Sequence, residues 1–218
     1  MGRPIFMALI IFDFDGVLAD TLDDLVQFGQ DVCDELGIKH VVKKDDLSIL
    51  EIMSFASFGR ACEIPENLVD EFVQSCLKRF AEKKSPPAIF NGLSDIVRHF
   101  SINNTIAIIT TNSSQNVSAF LIEHGLDECI HAVYGVDIPG SKAQKISIAR
   151  NQFSADTKRE SVFMVGDSLS DISAAKEASV TSIAVTWGHQ SLEHLLRGDP
   201  DYVVRFPNDL VEVIEKIE

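Results

Sequence analysis

Ala8-Leu9-Ile10-Ile11-Phe12-Asp13-Phe14-Asp15-Gly16 decides how the rest of the chain is read. A short apolar run that ends in acid and glycine predicts a strand buried on both faces, as in a parallel sheet, stopping at Asp13. Asp13 and Asp15 lie two positions apart and therefore project from one strand end, while Gly16 lets the backbone turn sharply after them. Similar runs return at Thr105–Ile109, at 161–165, at Thr181–Val185 and, shorter, at Tyr202–Val204. Helical spacing fills the intervals, at 94–100, 114–124, 144–153, 171–178, 192–196 and 208–217. Strands alternating with helices predict an α/β fold, a Rossmann-like parallel sheet core with helices on both faces.

Residues 20–86 break that alternation. They contain no strand pattern but three helical stretches, at 22–36, 46–58 and 67–83, which marks an inserted α-helical cap domain. The insertion closes at Ser85-Pro86-Pro87, a stiff link back to the sheet. The expected division is a catalytic α/β core from 1–19 and 87–218 and a helical cap from 20–86. Asp20, at the junction, reads as the N-cap of the first helix.

Composition narrows the function classes. The 218 residues are 45% hydrophobic, which allows a sizeable buried core. No apolar stretch approaches the roughly 20 residues of a membrane-spanning helix. The opening Met1-Gly2-Arg3-Pro4 offers one Arg before the first acids, unlike a secretory signal, so a cytoplasmic location is expected. Cys33, Cys62, Cys76 and Cys129 form no C-x-x-C pair, so their spacing indicates neither a zinc site nor a redox motif and reads as buried free thiols. A formal net charge of −14 argues against nucleic acid and anionic membrane as partners. The expected partner is a small molecule, and the expected assembly a monomer or homodimer.

Ligands of an open parallel sheet bind at the carboxyl ends of its strands. Those ends carry Asp13, Thr110, Gly166 and Asp167. Thr110-Thr111-Asn112 leads into the helix that starts near Ser114, which places hydroxyls and free amides at a helix N-terminus and makes an anion site, or a simple cap by Ser113 or Ser114. Asp167 and Asp171 put two acids across a strand-to-helix turn beside the acidic end of the first strand. Asp171 alone reads as a favourable N-terminal helix charge, but acids gathered this way repel unless a cation sits among them, and oxygen ligands suit Mg²⁺. Trp187-Gly188-His189, after the strand Thr181–Val185, is placed to approach the site, with core packing and a turn as the preferred reading.

Together Asp13-Phe14-Asp15-Gly16, Thr110, Lys142 and Gly166-Asp167-x-x-x-Asp171 resemble the four motifs of the haloacid dehalogenase superfamily, in order. The helical insertion after the first motif resembles the small cap of the subgroup that includes phosphoglycolate phosphatases and β-phosphoglucomutases. The resemblance implies a Mg²⁺-dependent phosphomonoester hydrolase for a small phosphorylated metabolite, phosphoglycolate-like, working through an aspartyl-phosphate intermediate. Asp13 is then the nucleophile and Asp15 the general acid and base. Thr110 and Lys142 hold phosphoryl oxygens with the amides of Thr111 and Asn112, Thr111 being the adjacent alternative to Thr110. The metal ligands implied are the Asp13 carboxylate, the Asp15 main-chain carbonyl, Asp167 and Asp171, the last directly or through water. Gly140-Ser141 gives Lys142 a loop setting, leaving Lys145 as a solvated helix charge.

Asp15 argues against halide displacement, which needs no such acid, and no lysine among Lys39, Lys43, Lys44 and Lys78 stands out as the Schiff-base group of a phosphonatase. A β-phosphoglucomutase-like mutase uses both aspartates, but Gly166 before Asp167 fits the phosphatases better. A phospho-accepting signalling domain would be about half this length and capless. Arg60, after Gly59, reads as a contact to the substrate's second anionic group or as a solvated helix charge.

Overall fold

The strand quoted above becomes β1 (Leu9–Phe12), every residue of which is buried. The structure is a computed structural model that describes residues 8–50, 53–83, 85–153 and 161–217. After β1 come β2 (Ala19–Asp20) and the helices α1 (Leu22–Glu35), α2 (Lys44–Ser48), α3 (Phe55–Ala61) and α4 (Val69–Glu82). There follow β3 (Ala88–Ile89), α5 (Leu93–Ser101), β4 (Thr105–Ile109), α6 (Ser114–Glu123), β5 (Ala132–Tyr134) and α7 (Lys142–Phe153). The chain then continues through β6 (Val162–Gly166), α8 (Leu169–Glu177), β7 (Thr181–Val185), α9 (Leu192–Arg197), β8 (Tyr202–Val204) and α10 (Asp209–Ile217). No helix among the described residues is long and apolar enough to cross a membrane.

Six strands form one parallel sheet in the order β5-β4-β1-β6-β7-β8. The alternation of side chains sorts β1 onto two faces. Ile10 and Phe12 enter a core with Ile106, Ile108, Phe163 and Val165, covered by Leu93, Val97 and Phe100 of α5, Val117 and Phe120 of α6 and Leu210 of α10. Leu9 and Ile11 enter the opposite core, with Ala143 and Ile146 of α7 and Ala174 of α8. Burial on both faces is why the strands read as unbroken apolar runs. Each large apolar side chain fully withdrawn from water contributes roughly 1.5–3 kcal/mol.

The expected strands and helices are present within a residue or two, and three local expectations change. β2, β3 and β5 were not expected; β2 and β3 are two residues each, and β5 is a three-residue edge strand, half-buried at two positions, which lacks the apolar run that marked the others. The helix expected over 46–58 is instead α2 and α3, with residues 51 and 52 outside the described residues, as is the opening Met1–Pro4 segment. Ser54 begins α3 in extended backbone, its hydroxyl accepting the Ser57 N–H at 3.1 Å, which is the ordinary Ser cap of a new helix. Asp20 belongs to β2, and Thr21 takes the N-cap position of α1 without capping it.

Helices α1 to α4 pack on a separate hydrophobic cluster of Val32, Leu47, Phe58, Val69 and Phe72 and their neighbours. The chain leaves the sheet for this helical unit through β2 and comes back through β3. The two pair antiparallel, Ala19 with Ile89 and Asp20 with Ala88.

Phe14, between the two acids of the first motif, meets Phe120 edge-to-face at 4.9 Å, and Phe120 is fully buried. Phe120→Ala should lower the free energy of unfolding by about 3–5 kcal/mol, the range for deleting a buried aromatic. Urea denaturation measures it; a loss below about 1 kcal/mol would mean that the site can repack around the void.

Candidate active site

The register of the sheet gathers the acids. Phe12 lies opposite Val165 of β6 and Ile108 of β4, and the Asp13 N–H donates to the Val165 carbonyl at 2.9 Å. Asp13, Asp167 and Thr110 therefore leave three neighbouring strands at one edge. Asp171 reaches the same place from the first turn of α8. Its Oδ2 accepts the Ser168 N–H at 3.1 Å and the Ser168 hydroxyl at 2.5 Å, a capping interaction that fixes the carboxylate. Asp13, Asp167 and Asp171 are all buried, and one carboxylate oxygen of each lies within 4.8 Å of the others.

Glycines make this approach possible. Gly16 has φ +81° and turns the chain immediately after Asp15. At Gly166 a Cβ would stand 2.2 Å from the Asp171 Cβ, so any side chain there would push that acid away.

Lys142 is the lysine that reaches the acids. Its ammonium donates to Asp171 Oδ1 at 2.5 Å and lies 3.1 Å from Asp13 Oδ1. It is the first residue of α7 rather than part of a loop, because Ser141 and Gln144 exchange hydrogen bonds that start the helix two residues earlier than expected. Lys145 is not solvated. It is 5% exposed and donates to the Gly135 carbonyl at 2.7 Å, and burial pushes its pKa down.

Around the acids stand polar groups. Thr110 is buried and its hydroxyl accepts the Asn112 N–H at 3.0 Å, whereas Thr111 is exposed. The Asn112 side chain donates to Asp15 Oδ2 at 3.2 Å and accepts the Ser113 N–H at 2.8 Å, so it orients Asp15 from the start of α6. Arg60 is not brought to this group; it is exposed on α3 and its guanidinium forks onto Glu66 at 2.6 and 3.0 Å.

His189 belongs here, although the sequence reading assigned it to a turn. Its N–H donates to Asp167 Oδ2 at 2.7 Å, its Nδ1 lies 3.5 Å from that oxygen, and its Nε2 bonds the Thr21 hydroxyl at 3.2 Å. Thr21 in turn bonds Asp15. The signal was available: Trp187-Gly188-His189 follows β7, whose carboxyl end adjoins that of β6. Trp187 does pack, its indole N–H donating to the Val17 carbonyl at 3.1 Å.

Burial dominates the electrostatics. It raises Asp13 well above the carboxylate range, against Lys142, which favours ionisation, while Asp171 and Asp167 add repulsion. Burial also raises Asp167, and Asp15 is raised by burial against the pull of His189 and the hydrogen bonds of Asn112 and Thr21. Burial opposes the charge of Lys142, but Asp13 and Asp171 outweigh it and hold the ammonium above its ordinary value. Three buried carboxylates facing one ammonium leave negative charge uncompensated. The all-oxygen donor set and that imbalance fit a small, hard divalent cation.

Comparisons with known proteins identify the family and the fold. The sequence model of the haloacid dehalogenase-like hydrolases matches residues 10–185. A phosphoglycolate phosphatase of Synechococcus elongatus is 27% identical over 214 residues, 97% of this chain and 99% of that protein. The pyrophosphatase PpaX of Listeria monocytogenes is 24% identical over 213 residues, 96% of this chain and 97% of that protein. A haloacid dehalogenase-like hydrolase from Streptococcus pneumoniae shares the fold with a TM-score of 0.80 at 22% identity, over 95% of this chain and 98% of that one. With the family's sequence model spanning most of the chain, from β1 to the last residue of β7, the protein belongs to the haloacid dehalogenase-like hydrolases.

Proposed function

We propose that this hydrolase is a Mg²⁺-dependent phosphatase that cleaves small phosphorylated metabolites through a phosphorylated Asp13. The observation that carries the proposal is the convergence of Asp13, Asp167, Asp171 and Lys142 at one edge of the sheet. An anionic nucleophile and an anionic phosphoryl group repel each other, so catalysis here is mainly neutralisation and alignment. Asp13, Asp167 and Asp171, with the Asp15 carbonyl, would hold Mg²⁺, which supplies positive charge to the phosphoryl oxygens and keeps the carboxylates ionised. Lys142 and Thr110, with the amides of Thr111 and Asn112, would bind the remaining phosphoryl oxygens.

Asp13 attacks phosphorus while the bond to the leaving oxygen breaks. Asp15 gives that oxygen its proton, and the direction of the Asp15 shift, upward with burial, is the one a general acid needs near neutrality. Asp15 then takes a proton from the water that attacks the aspartyl phosphate, releasing phosphate and restoring Asp13. Thr21 and Asn112 aim its carboxyl in both halves. Space at Gly166 is occupied by Asp171, so the acidic residue that the mutase-like subgroup carries there would displace a metal ligand. That observation favours hydrolysis over transfer between sugars.

Substrate size is read from the space beside Thr21 and Asn112, the residues that aim Asp15. A cavity of about 160 Å³ lies between Phe14, Thr21 and Asn112 on one side and Asp24, Phe80 and Lys83 of the helical unit on the other. We take the helical unit as the cap that closes over the leaving group. That volume suits a short phosphorylated acid such as phosphoglycolate better than a phosphoprotein segment or polynucleotide. The relationship to PpaX makes inorganic pyrophosphate the second candidate.

With phosphoglycolate or another alkyl phosphate, Asp13→Asn is expected to abolish turnover and Asp15→Asn to lower kcat on the order of 10²–10⁴-fold. Steady-state phosphate release measures both, and activity of Asp13→Asn within tenfold of the parent would refute the nucleophile. Metal binding has a pH signature. Asp13 and Asp167 have folded-state pKa values above the unfolded value of about 3.9, so the metal-free protein loses stability as pH rises from there through the raised values. Mg²⁺ should therefore raise Tm more above neutrality than in mildly acidic buffer, and Asp167→Asn should shrink the effect. Equal shifts at both pH values would count against the assigned ligands. In a screen of phosphorylated metabolites ranked by kcat/KM, small acids, sugars and pyrophosphate should outrank every phosphopeptide and oligonucleotide. The reverse ranking would overturn the size argument.

A further inference from the structure

Three of the four cysteines, far apart in sequence, meet in the helical unit. Cys33 in the last turn of α1, Cys62 after the end of α3 and Cys76 in α4 are buried in its hydrophobic cluster. Cys33 and Cys62 belong to the same buried cluster. Beside Cys62 stand His40, from the connection between α1 and α2, and Asp46 of α2. The Cys62 Sγ, one imidazole nitrogen of His40 and one carboxylate oxygen of Asp46 all lie within 4.8 Å of one another. His40 Nε2 and Asp46 Oδ2 are 2.9 Å apart, and these two side chains are 18% and 19% exposed, so solvent reaches the group from their side while Cys62 closes it from beneath.

We infer that this group is a binding site for a borderline-soft divalent cation, Zn²⁺ by its ligand chemistry, held by Cys62, His40 and Asp46, with the fourth position on the side where solvent reaches His40 and Asp46. Thiolate, imidazole and carboxylate are the three donor types zinc accepts, and neighbouring ligands around one tetrahedral ion stand about 3–4 Å apart at ordinary bond lengths. The observed spread lies within reach of small side-chain movements. Asp46 is oriented from outside the group, since its Oδ2 also accepts the Lys43 N–H at 2.7 Å. The donor set differs in kind from the active site, where every candidate ligand is an oxygen and a hard ion is favoured. The ligands come from the connection after α1, from α2 and from the residue after α3, so a bound ion ties together parts of the helical unit that share no strand. Zinc here is structural, and it adds stability to the helical unit in proportion to its occupancy.

The test uses the full chain, reduced and stripped with EDTA, and Co²⁺ as the probe, because cobalt bound to thiolate shows a near-ultraviolet charge-transfer absorption that cobalt bound to oxygen does not. The expected result is such a band, saturating at one equivalent of Co²⁺, displaced by equimolar Zn²⁺ and unaffected by excess Mg²⁺. It should be lost in Cys62→Ser and retained in Asp167→Asn. His40→Gln, at a half-buried position, serves where Cys62→Ser does not fold, and should weaken Zn²⁺ binding by about tenfold or more. No thiolate band in the parent, a band that persists in Cys62→Ser, or Zn²⁺ affinity unchanged in His40→Gln would each overturn the site.

Discussion

Repulsion among buried carboxylates is the constraint to which the rest of the molecule is fitted. Two like charges 4 Å apart repel by about 4 kcal/mol even at an effective dielectric constant near 20, and here Asp13, Asp167 and Asp171 are held at such spacings with Asp15 close by. One ammonium, that of Lys142, lies among them. A small domain is stable by only about 5–15 kcal/mol, so this concentration of charge requires a scaffold that does not yield. The parallel sheet supplies it. β1 is hydrogen-bonded on both sides and buried on both faces, and the acids cannot spread without breaking its register.

The loop after β7 joins this charged centre to the helical unit. Trp187 bonds the turn after Asp15, His189 bonds Asp167 and Thr21, and Gln190 accepts the Leu169 N–H at 2.7 Å while its amide donates to the Leu50 carbonyl. Ser191 adds a hydrogen bond to the Ser48 carbonyl at 3.3 Å. A few consecutive residues thus touch a metal-ligand candidate, the residues flanking the general-acid candidate and the edge of the helical unit. Displacement of α2 relative to the sheet strains the same loop that orients Asp167.

How much of this was legible in the sequence depended on whether a signal was local. The central strands were readable because burial on both faces forces a continuous apolar run, and the acids at their ends followed from strand polarity alone. β5 was hidden because a short edge strand carries no such run. Lys145 was misread because nothing in its neighbours announces that the Gly135 carbonyl waits for its ammonium inside the protein. Arg60 was offered to the substrate on the strength of being an isolated cation, and Glu66, six residues on, takes it. The His40, Asp46 and Cys62 group was invisible because its members lie on a connection, on α2 and after the end of α3, and only the packing of the helical unit brings them together.

The two-residue ladder of β2 and β3 has a consequence for the history of such a chain. Departure from the sheet and return to it occur at adjacent, mutually bonded residues, with Ala19 beside Ile89 and Asp20 beside Ala88. Seen from the sheet, everything between them occupies the place of a single hairpin loop. A segment of different length or fold spliced between the same two pairs would leave the register of the six strands as it is, provided that it kept Thr21 and a partner for the loop after β7. The helical unit is in this sense a replaceable cassette with two fixed points, and a lineage that kept them could exchange the substrates it accepts while inheriting its chemistry.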